Sequence, residues 1–297
     1  MTPAGLVAAA ATLGIIVGPL VLAVAGGIRM HREMPAVAPR PWRLTLVSTL
    51  AFALAFNLTF FIQELFLVLP KALTPGLRPM LFHNNHTWSG SQPLEDLFQG
   101  TGALATLIAS AVCWALLARD RGRSMTTRLL LLWMAYAGVF MALPQVVVGA
   151  VSDASDLGRA MHYFALGNGA RSALAFTALL AMPWLALRLS RHFLALSQEV
   201  PRTAQARARL MLHAATLPAL LGIALIVPFR VPREWIEVVI VPVAVVLAGV
   251  PWMQAGAWRA TPAAIAPPRP AAPFGLAIAL AVLLAIFQLV LRRGIPF

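Results

Sequence analysis

The sequence predicts an all-α polytopic membrane protein, a transmembrane bundle of about eight spanning helices. Hydrophobic residues make up 60% of the 297-residue chain and charged residues only 11%, and the mean hydropathy is +0.81. Soluble domains carry about 25% charged residues and about 45–50% apolar ones. A water-exposed fold has no room to bury this excess, so the lipid bilayer is the expected solvent for most of the chain.

The predicted helices follow from apolar windows that each reach the roughly 17–25 residues needed to span a bilayer. The windows are 5–28, 44–69, 97–118, 129–151, 161–187, 210–228, 235–253 and 273–291. An external loop, 70–96, follows the second window, and a Pro/Ala-rich linker, 259–273, precedes the last. We expect one integral membrane domain over residues 1–297.

The charges of the connecting loops predict the orientation of the bundle. Arginines cluster in 29–43, 119–128 and 188–209, whereas 70–96 and 152–160 mix basic with acidic residues. Cytoplasmic loops carry an excess of Lys and Arg. The pattern predicts a multi-pass protein of the plasma (inner) membrane whose N-terminus and loop 70–96 are external.

The net charge of +13 does not indicate a nucleic-acid partner. The basic residues lie between hydrophobic runs rather than on one face, and the sequence contains none of the known nucleic-acid-binding motifs. The single cysteine, Cys113, lies within an apolar run, which excludes a disulfide framework and a cysteine metal cluster. The expected partner is the bilayer itself, together with a lipid-like, peptide or small anionic ligand.

Polar residues inside the predicted helices lie mostly in the outer half of the membrane. At about 1.5 Å of rise per residue, Glu64 lies roughly 8 Å below the outer end of its helix and Gln145 roughly 9 Å below its own. His162 lies at the outer interface, and Asn168 and Arg171 lie deeper, with Arg171 near the bilayer middle. Such groups face the bundle interior by default. We therefore predict a polar vestibule that opens outward beneath loop 70–96.

Arg171 requires an anion at its predicted depth, and Glu64 is the internal candidate. Two interpretations stay open. The two residues form a buried pair that fixes helix packing, or Arg171 faces the vestibule and binds an anionic substrate group or a developing oxyanion.

The segment 81-LFHNNHTWSGSQPLEDLFQG-100 concentrates residues that bind metals or move protons. His83 and His86 are three apart, a spacing that on a helix places both imidazoles on one face. Glu95 or Asp96 could complete a site for a divalent metal such as zinc. Without a metal, either histidine could act as an acid or a base. Trp88 fits both an interfacial aromatic belt and a substrate contact.

Two classes of function therefore remain. The first is a metal-assisted membrane hydrolase or transferase that acts on a lipid-like or peptide substrate. The second is a non-enzymatic carrier of small solutes or a membrane assembly subunit whose polar groups bind solute or pin helices. The enzyme is favoured because acid, base and potential metal ligands occur together in the polar cluster.

Each candidate residue has a role in the favoured enzyme. The catalytic candidates are Glu64, His162 and Arg171. The substrate-binding candidates are Asn168, Arg171, Gln145 and Trp88. The metal-binding candidates are His83, His86, Glu95 and Asp96.

Overall fold

Helices account for most of the computed structural model, which describes residues 3–33, 41–119, 122–197, 203–230, 236–265, 268–269 and 273–297. The α-helices are α1 (Pro3–Glu33), α2 (Trp42–Ala72), α3 (Glu95–Phe98), α4 (Thr101–Ala118), α5 (Met125–Val151), α6 (Asp156–Tyr163), α7 (Asn168–Leu194), α8 (Ala204–Met211), α9 (Leu217–Ile226), α10 (Val241–Gly256) and α11 (Pro273–Leu289). Three short strands are β1 (Arg78–Leu81), β2 (His86–Ser89) and β3 (Ile295–Pro296). Single turns of π-helix (Leu212–Thr216, Ile236–Ile240) and 3₁₀-helix (Val227–Phe229, Leu291–Arg293) adjoin the longer helices.

Among the described residues, seven helical segments are long and apolar enough to cross a membrane. They are Trp42–Ala72, Glu95–Ala118, Met125–Val151, Asn168–Leu194, Ala204–Phe229, Val238–Gly256 and Pro273–Arg293. A shorter apolar stretch, Leu13–Ile28, lies within α1. The predicted all-α polytopic bundle is confirmed.

Helix α2 is the centre of the bundle because neighbours cover it on most sides. It packs against α4, α5, α9 and α11, and Phe52 and Phe56 are completely buried. Its inner polar side chains bond to helix carbonyls: Asn57 Nδ2 donates to Ala53 O (2.8 Å), and Ser48 Oγ donates to Ala214 O (2.5 Å). Such bonds satisfy polar groups where no water is present.

The predicted window 161–187 is interrupted near its start. Helix α6 ends in a Schellman-type cap, in which Leu166 N donates to Met161 O (3.1 Å) and Ala165 N donates to His162 O (2.8 Å). Ala165 takes the left-handed conformation that this cap requires, with φ of 50°. Helix α7 therefore begins at Asn168, seven residues later than the window predicts.

The strands form a small antiparallel sheet of order β2-β1-β3 over one end of the bundle. Leu81 of β1 pairs with His86 on one side and with Ile295 on the other. We call this end, which also carries α3 and α6, the hairpin face. The C-terminal residues therefore lie on the same face as the hairpin.

We call the opposite end of the bundle the basic face. Hydrogen bonds that involve arginines connect α5, α7 and α8 there to the chain that follows α10. Arg207 donates to Ala257 O (3.3 Å) and to Trp258 O (2.7 Å), and Arg191 Nε donates to Thr261 O (3.2 Å). Met125 N also donates to the carbonyl of Arg269 (2.9 Å). The described part of linker 259–273 thus lies against this face.

Candidate functional site

The tip of the β1–β2 hairpin is buried against the bundle. The turn closes with a bond from Phe82 N to Asn85 O (2.9 Å), and the two residues between them, His83 and Asn84, are each only 1% exposed. The His83 ring stacks on Phe287 of α11 with ring centroids 4.7 Å apart. Loops normally run over the surface, because their polar groups need water. A buried polar turn is therefore a structural sign of function.

Glu64 and His86 form a hydrogen-bonded pair beneath this hairpin. Glu64 lies on α2 and is 4% exposed, and His86 begins β2. His86 Nδ1 lies 2.8 Å from Glu64 Oε2. A neutral imidazole that donates Nδ1–H to a carboxylate keeps Nε2 as an acceptor. The contact therefore selects the tautomer and holds the orientation of the His86 ring.

Trp88 packs against the face of the His86 imidazole. The rings of His86 and Trp88 are stacked, with centroids 5.6 Å apart and planes 12° apart. Lys71 Nζ lies 4.5 Å from the indole centroid and Arg159 Cζ lies 5.1 Å from it. Such cation–π contacts strengthen when they are shielded from water. The Trp88 indole is therefore in contact with two cationic side chains and with the His86 imidazole.

Arg159 also ties α6 to α3 at the rim of the site. Its Nε donates to Asp96 Oδ1 (2.5 Å) and its Nη2 donates to Glu95 Oε1 (3.2 Å). These charges lie near the surface, and each side chain keeps some contact with solvent. The two carboxylates predicted as metal ligands therefore neutralise an arginine in this structure.

A cavity of about 730 Å³ lies under the hairpin, between α2, α5, α6 and α10. Ligand pockets commonly have volumes of about 300–1,000 Å³. Its apolar wall includes Phe60, Phe140 and Val245. The polar side chains that line it include Gln63, Glu64, Asn84, His86, Trp88, Gln99, Gln145, Asp156 and Arg159. Four of the predicted site residues, Glu64, His86, Trp88 and Gln145, thus lie on one cavity.

Several buried polar atoms on the cavity wall have no hydrogen-bond partner among the described residues. They are His86 Nε2, Asn84 Nδ2, Asn84 Oδ1 and Gln99 Oε1. The Asn84 and Gln99 residues are 1% exposed, and the His86 side chain is 7% exposed. Buried polar groups are nearly always paired in folded proteins. Because these side chains line the cavity, their partners are expected to come from a molecule inside it.

Gln145 holds the deeper polar part of the wall in place. Its Nε2 donates to Gln63 Oε1 (2.8 Å) and to Met141 O (2.9 Å), a carbonyl one turn earlier on α5. The Gln63 oxygen is therefore occupied by a neighbour in the bundle. This pair joins α2 to α5 at the level of Glu64.

The pKa values of Asp156 and His83, which lie outside the membrane-spanning helices, are both shifted from their ordinary values. Burial raises the pKa of Asp156, and nearby Glu64 adds to the shift, although the charges of His86, Lys71 and Arg159 oppose it. Burial and, as a smaller cause, the guanidinium of Arg230 together lower the pKa of His83 from 6.5 to about 4. Asp156 therefore keeps its proton to a higher pH than an ordinary aspartate.

Arg171 lies elsewhere than predicted. It lies in the first turn of α7, where its Nη1 donates to the carboxylate of Asp153 and its Nε donates to Leu166 O (2.9 Å). The Asp153 side chain is 62% exposed, and the guanidinium lowers its pKa. The predicted mid-membrane position is wrong, because the Schellman-type cap delays the start of α7. Of the two interpretations left open, the buried pair with Glu64 is not formed, since Arg171 pairs with Asp153 instead.

The other candidates from α6 and α7 lie outside the cavity wall. His162 and Asn168 are exposed, and neither is among the residues that line the cavity. His83 is buried, but its ring contacts Phe287 on the C-terminal helix. The structure therefore brings the hairpin, α2 and α5 candidates together and leaves His162, Asn168 and Arg171 apart from them.

The expected helical spacing of the two histidines is not present. His83 lies in the hairpin turn and His86 in β2, so the pair does not share a helix face. Within the described ranges, no group of three or more His, Cys, Asp or Glu side chains is arranged to hold a metal ion. Metal binding stays a prediction.

Several residues that line the cavity were not predicted as site residues from the sequence. Asn84 lies between the two histidines, and Asp156 and Arg159 counted only as loop charges. Gln63 precedes Glu64 directly. The available signal was proximity in sequence for Asn84 and Gln63. Asp156 and Arg159 reach the cavity only through the fold of α6 over α3.

Comparison with known proteins returned no matching family model, no matching curated protein and no matching solved structure. The geometry of the cavity therefore carries the functional argument.

Proposed function

We propose that the protein is a membrane-embedded hydrolase or transferase whose active site is the cavity under the hairpin. The observation that carries this proposal is the state of His86. Its Nδ1 is held by the buried Glu64 carboxylate at 2.8 Å, while its Nε2 lies at the cavity wall without a partner among the described residues. An imidazole oriented by a carboxylate in this way is the arrangement that general-base catalysis uses.

In the proposed mechanism, His86 Nε2 takes a proton from water or from an acceptor hydroxyl as the oxygen attacks the substrate carbonyl. Glu64 stabilises the imidazolium that forms, and the proton then passes from Nε2 to the leaving group. Asn84 Nδ2 is a cavity-wall donor available for the developing oxyanion. Asp156, whose pKa burial raises, supplies a second acid on the same wall.

The distribution of charge supports an outward-facing site in the plasma (inner) membrane. Five acidic residues whose side chains the structure describes lie toward the hairpin face: Glu64, Glu95, Asp96, Asp153 and Asp156. The opposite face carries Arg191 and Arg207, as the positive-inside rule expects of a cytoplasmic face. A reporter fused within 70–96 that is cytoplasmic would contradict this orientation.

The proposal is tested by turnover in lipid nanodiscs. The purified protein is given fluorogenic long-chain acyl esters and acyl amides, and the products are followed by fluorescence and mass spectrometry. His86→Ala should lower the rate by about 10²–10⁴-fold, the usual contribution of a general base. His162→Ala is the matched control, because His162 is exposed and outside the cavity wall. Absence of turnover across both reporter classes, or equal rates in both variants, would contradict the proposal.

A divalent metal such as zinc is a separate part of the proposal. Elemental analysis of the purified protein should show near-stoichiometric metal that the double variant His83→Ala/His86→Ala loses. Equal metal content in wild type and double variant would remove the metal from the mechanism while leaving the His86–Glu64 base in place.

A non-enzymatic role as a small-solute carrier has one observation in its favour. Lys71 is completely buried and donates only one described hydrogen bond, to Leu67 O (2.9 Å), while it lies over the same Trp88 that supports His86. A buried amine beside carboxylates suits reversible binding of a solute together with a proton. Solute uptake into proteoliposomes without any reporter turnover would favour this alternative.

A further inference from the structure

A second cavity of about 350 Å³ lies directly beside the first. The two cavities share four wall residues: Pro144, Val148, Ile240 and Ala244. The second cavity lies between α1, α5, α7 and α10, and every side chain that lines it is apolar. The polar site therefore continues into an apolar space between membrane-spanning helices.

The two adjoining cavities match the two parts of an amphiphile, because one has polar side chains for a polar head and the other is apolar and suits an alkyl chain. Ala244 and Val148 line both cavities and are both exposed, so the two spaces adjoin at these side chains. The side chains that line the second cavity offer no hydrogen bond to a hydrated group, and an alkyl chain meets there the same kind of surface as in the bilayer. A ligand with its polar end at His86 would place a chain in this space.

The polar cavity also restricts the head of the ligand. Its unpartnered atoms are mostly acceptors: His86 Nε2, Asn84 Oδ1 and Gln99 Oε1, with Asn84 Nδ2 as the one donor among them. These acceptor atoms require hydrogen-bond donors from the ligand, such as hydroxyl or amine groups. An ionised phosphate offers acceptors only and has no proton for these three atoms.

The charges lead to the same conclusion. Glu64 and Asp156 line the cavity, and the guanidinium of Arg159 is already paired with Glu95 and Asp96. An anionic head would meet the Glu64 carboxylate, the acid Asp156 and an arginine whose charge is compensated, whereas the buried amine of Lys71 is not among the residues that line the cavity. A neutral or cationic head avoids that repulsion.

We infer that the ligand is a single-chain amphiphile with a neutral or cationic head that bears hydroxyl or amine groups. The head pairs with His86, Asn84 and Gln99, and the chain lies in the apolar cavity between α1 and α10. The inference rests on the proposed function, since it names the substrate class of that site, and it replaces the small anionic ligand expected from the sequence.

Photolabelling in phosphatidylcholine nanodiscs tests the inference without requiring turnover. Three probes carry the same palmitoyl-length chain with a diazirine near its end and differ only in the head: a primary amine, a glycerol and a phosphate monoester. The amine and glycerol probes should label peptides of α1 and α10 around Ile15, Ile16 and Val243, in competition with the same amphiphiles lacking the diazirine. The phosphate probe should label these peptides about tenfold less, a difference of roughly 1.4 kcal/mol in binding.

Substitutions at the junction provide the matched comparison. Ala244→Trp should reduce labelling in the apolar cavity about tenfold, because the indole fills the passage, whereas Ala285→Trp on the exposed side of α11 should leave it unchanged. Val148→Trp blocks the same junction from α5, so the test survives if Ala244→Trp does not fold. Equal labelling by all three heads, or labelling spread evenly over the outer helix surfaces, would overturn the inference.

The two proposals fail in different ways. Reporter turnover that requires His86, without labelling of the apolar cavity, would overturn only the assignment of the ligand. Head-selective labelling without turnover would overturn the enzyme and support the amphiphile as a bound ligand of this site.

Discussion

Two clusters of buried polar side chains, one toward each end of the bundle, differ in their hydrogen bonding. Where α2 and α5 approach the basic face, four polar side chains pair with each other: Thr45 Oγ1 and His213 Nδ1 are 2.9 Å apart, and Trp133 Nε1 donates to Ser48 Oγ (2.9 Å). Toward the hairpin face, His86 Nε2 and both polar atoms of Asn84 have no partner among the described residues and line a cavity. A buried polar group that is paired holds helices together, whereas one left open at a cavity is available to a ligand.

The largest expected effect comes from Glu64. Glu64→Gln keeps the size of the side chain but removes the charge that selects the His86 tautomer and stabilises its protonated form. We expect reporter turnover to fall by about 10²–10⁴-fold, as when a catalytic histidine loses its carboxylate partner. Thr45→Val breaks the His213 contact in the inner half and should leave turnover within a factor of about two, since it lies outside the cavity wall.

The next effect concerns pH and the buried hairpin tip. His83 has a folded-state pKa of about 4, below the ordinary 6.5, so the unfolded chain binds more protons between these values. This contribution to stability is complete above pH 6.5 and is lost as pH falls toward 4, to a total of about 3 kcal/mol. The Tm of the purified protein, measured by intrinsic fluorescence, should drop over this range.

His83→Phe tests that assignment because it keeps an aromatic ring against Phe287 but has no group to protonate. The drop in Tm between pH 6.5 and 4 should be clearly smaller in this variant. His162→Phe, at an exposed position, should show the wild-type drop. The same pH dependence in His83→Phe as in wild type would assign the effect to other groups.

A smaller effect is expected in the inner half. Ser48→Ala removes the acceptor for the buried Trp133 Nε1. Leaving one buried donor unpaired costs about 1–3 kcal/mol, so the Tm should fall while reporter turnover per folded molecule is unchanged. A loss of turnover larger than the loss of folded protein would show that the two halves are functionally coupled.

The smallest effect is expected for the Arg171–Asp153 pair. Because the Asp153 side chain is largely exposed and water screens its charge, Asp153→Asn should change the Tm little and leave turnover unchanged. Turnover that falls by more than about tenfold would return Arg171 to the active site, as the sequence first indicated.

Depth along a helix is the part of the site that could be predicted from the sequence. The fixed rise of a helix placed Glu64 and Gln145 at similar levels of neighbouring helices, and both line the cavity. The same reasoning failed for Arg171, because a left-handed Ala165 ends α6 and restarts the helix at Asn168. An alanine in that conformation leaves no sequence signal of the kind a glycine provides.

The contacts that complete the site depend on the tertiary fold. His86 reaches Glu64 across 22 residues only because β1 and β2 form a hairpin that turns back over α2. The strands are four residues long, too short for a period-of-two pattern to stand out in an apolar chain. The pairing of β3 with β1 joins the C-terminus to residues more than 200 positions earlier, a contact that local patterns do not encode.

The central claim is that His86, whose Nε2 is open to the cavity, does chemistry while His213, which pairs with Thr45 in the inner half, is structural. The most direct measurement compares His86→Ala with His213→Ala on one acyl reporter in nanodiscs, with rates normalised to folded protein. The account predicts a loss of about 10²–10⁴-fold for His86→Ala and near-wild-type turnover with a lower Tm for His213→Ala. Equal turnover in the two variants would contradict it.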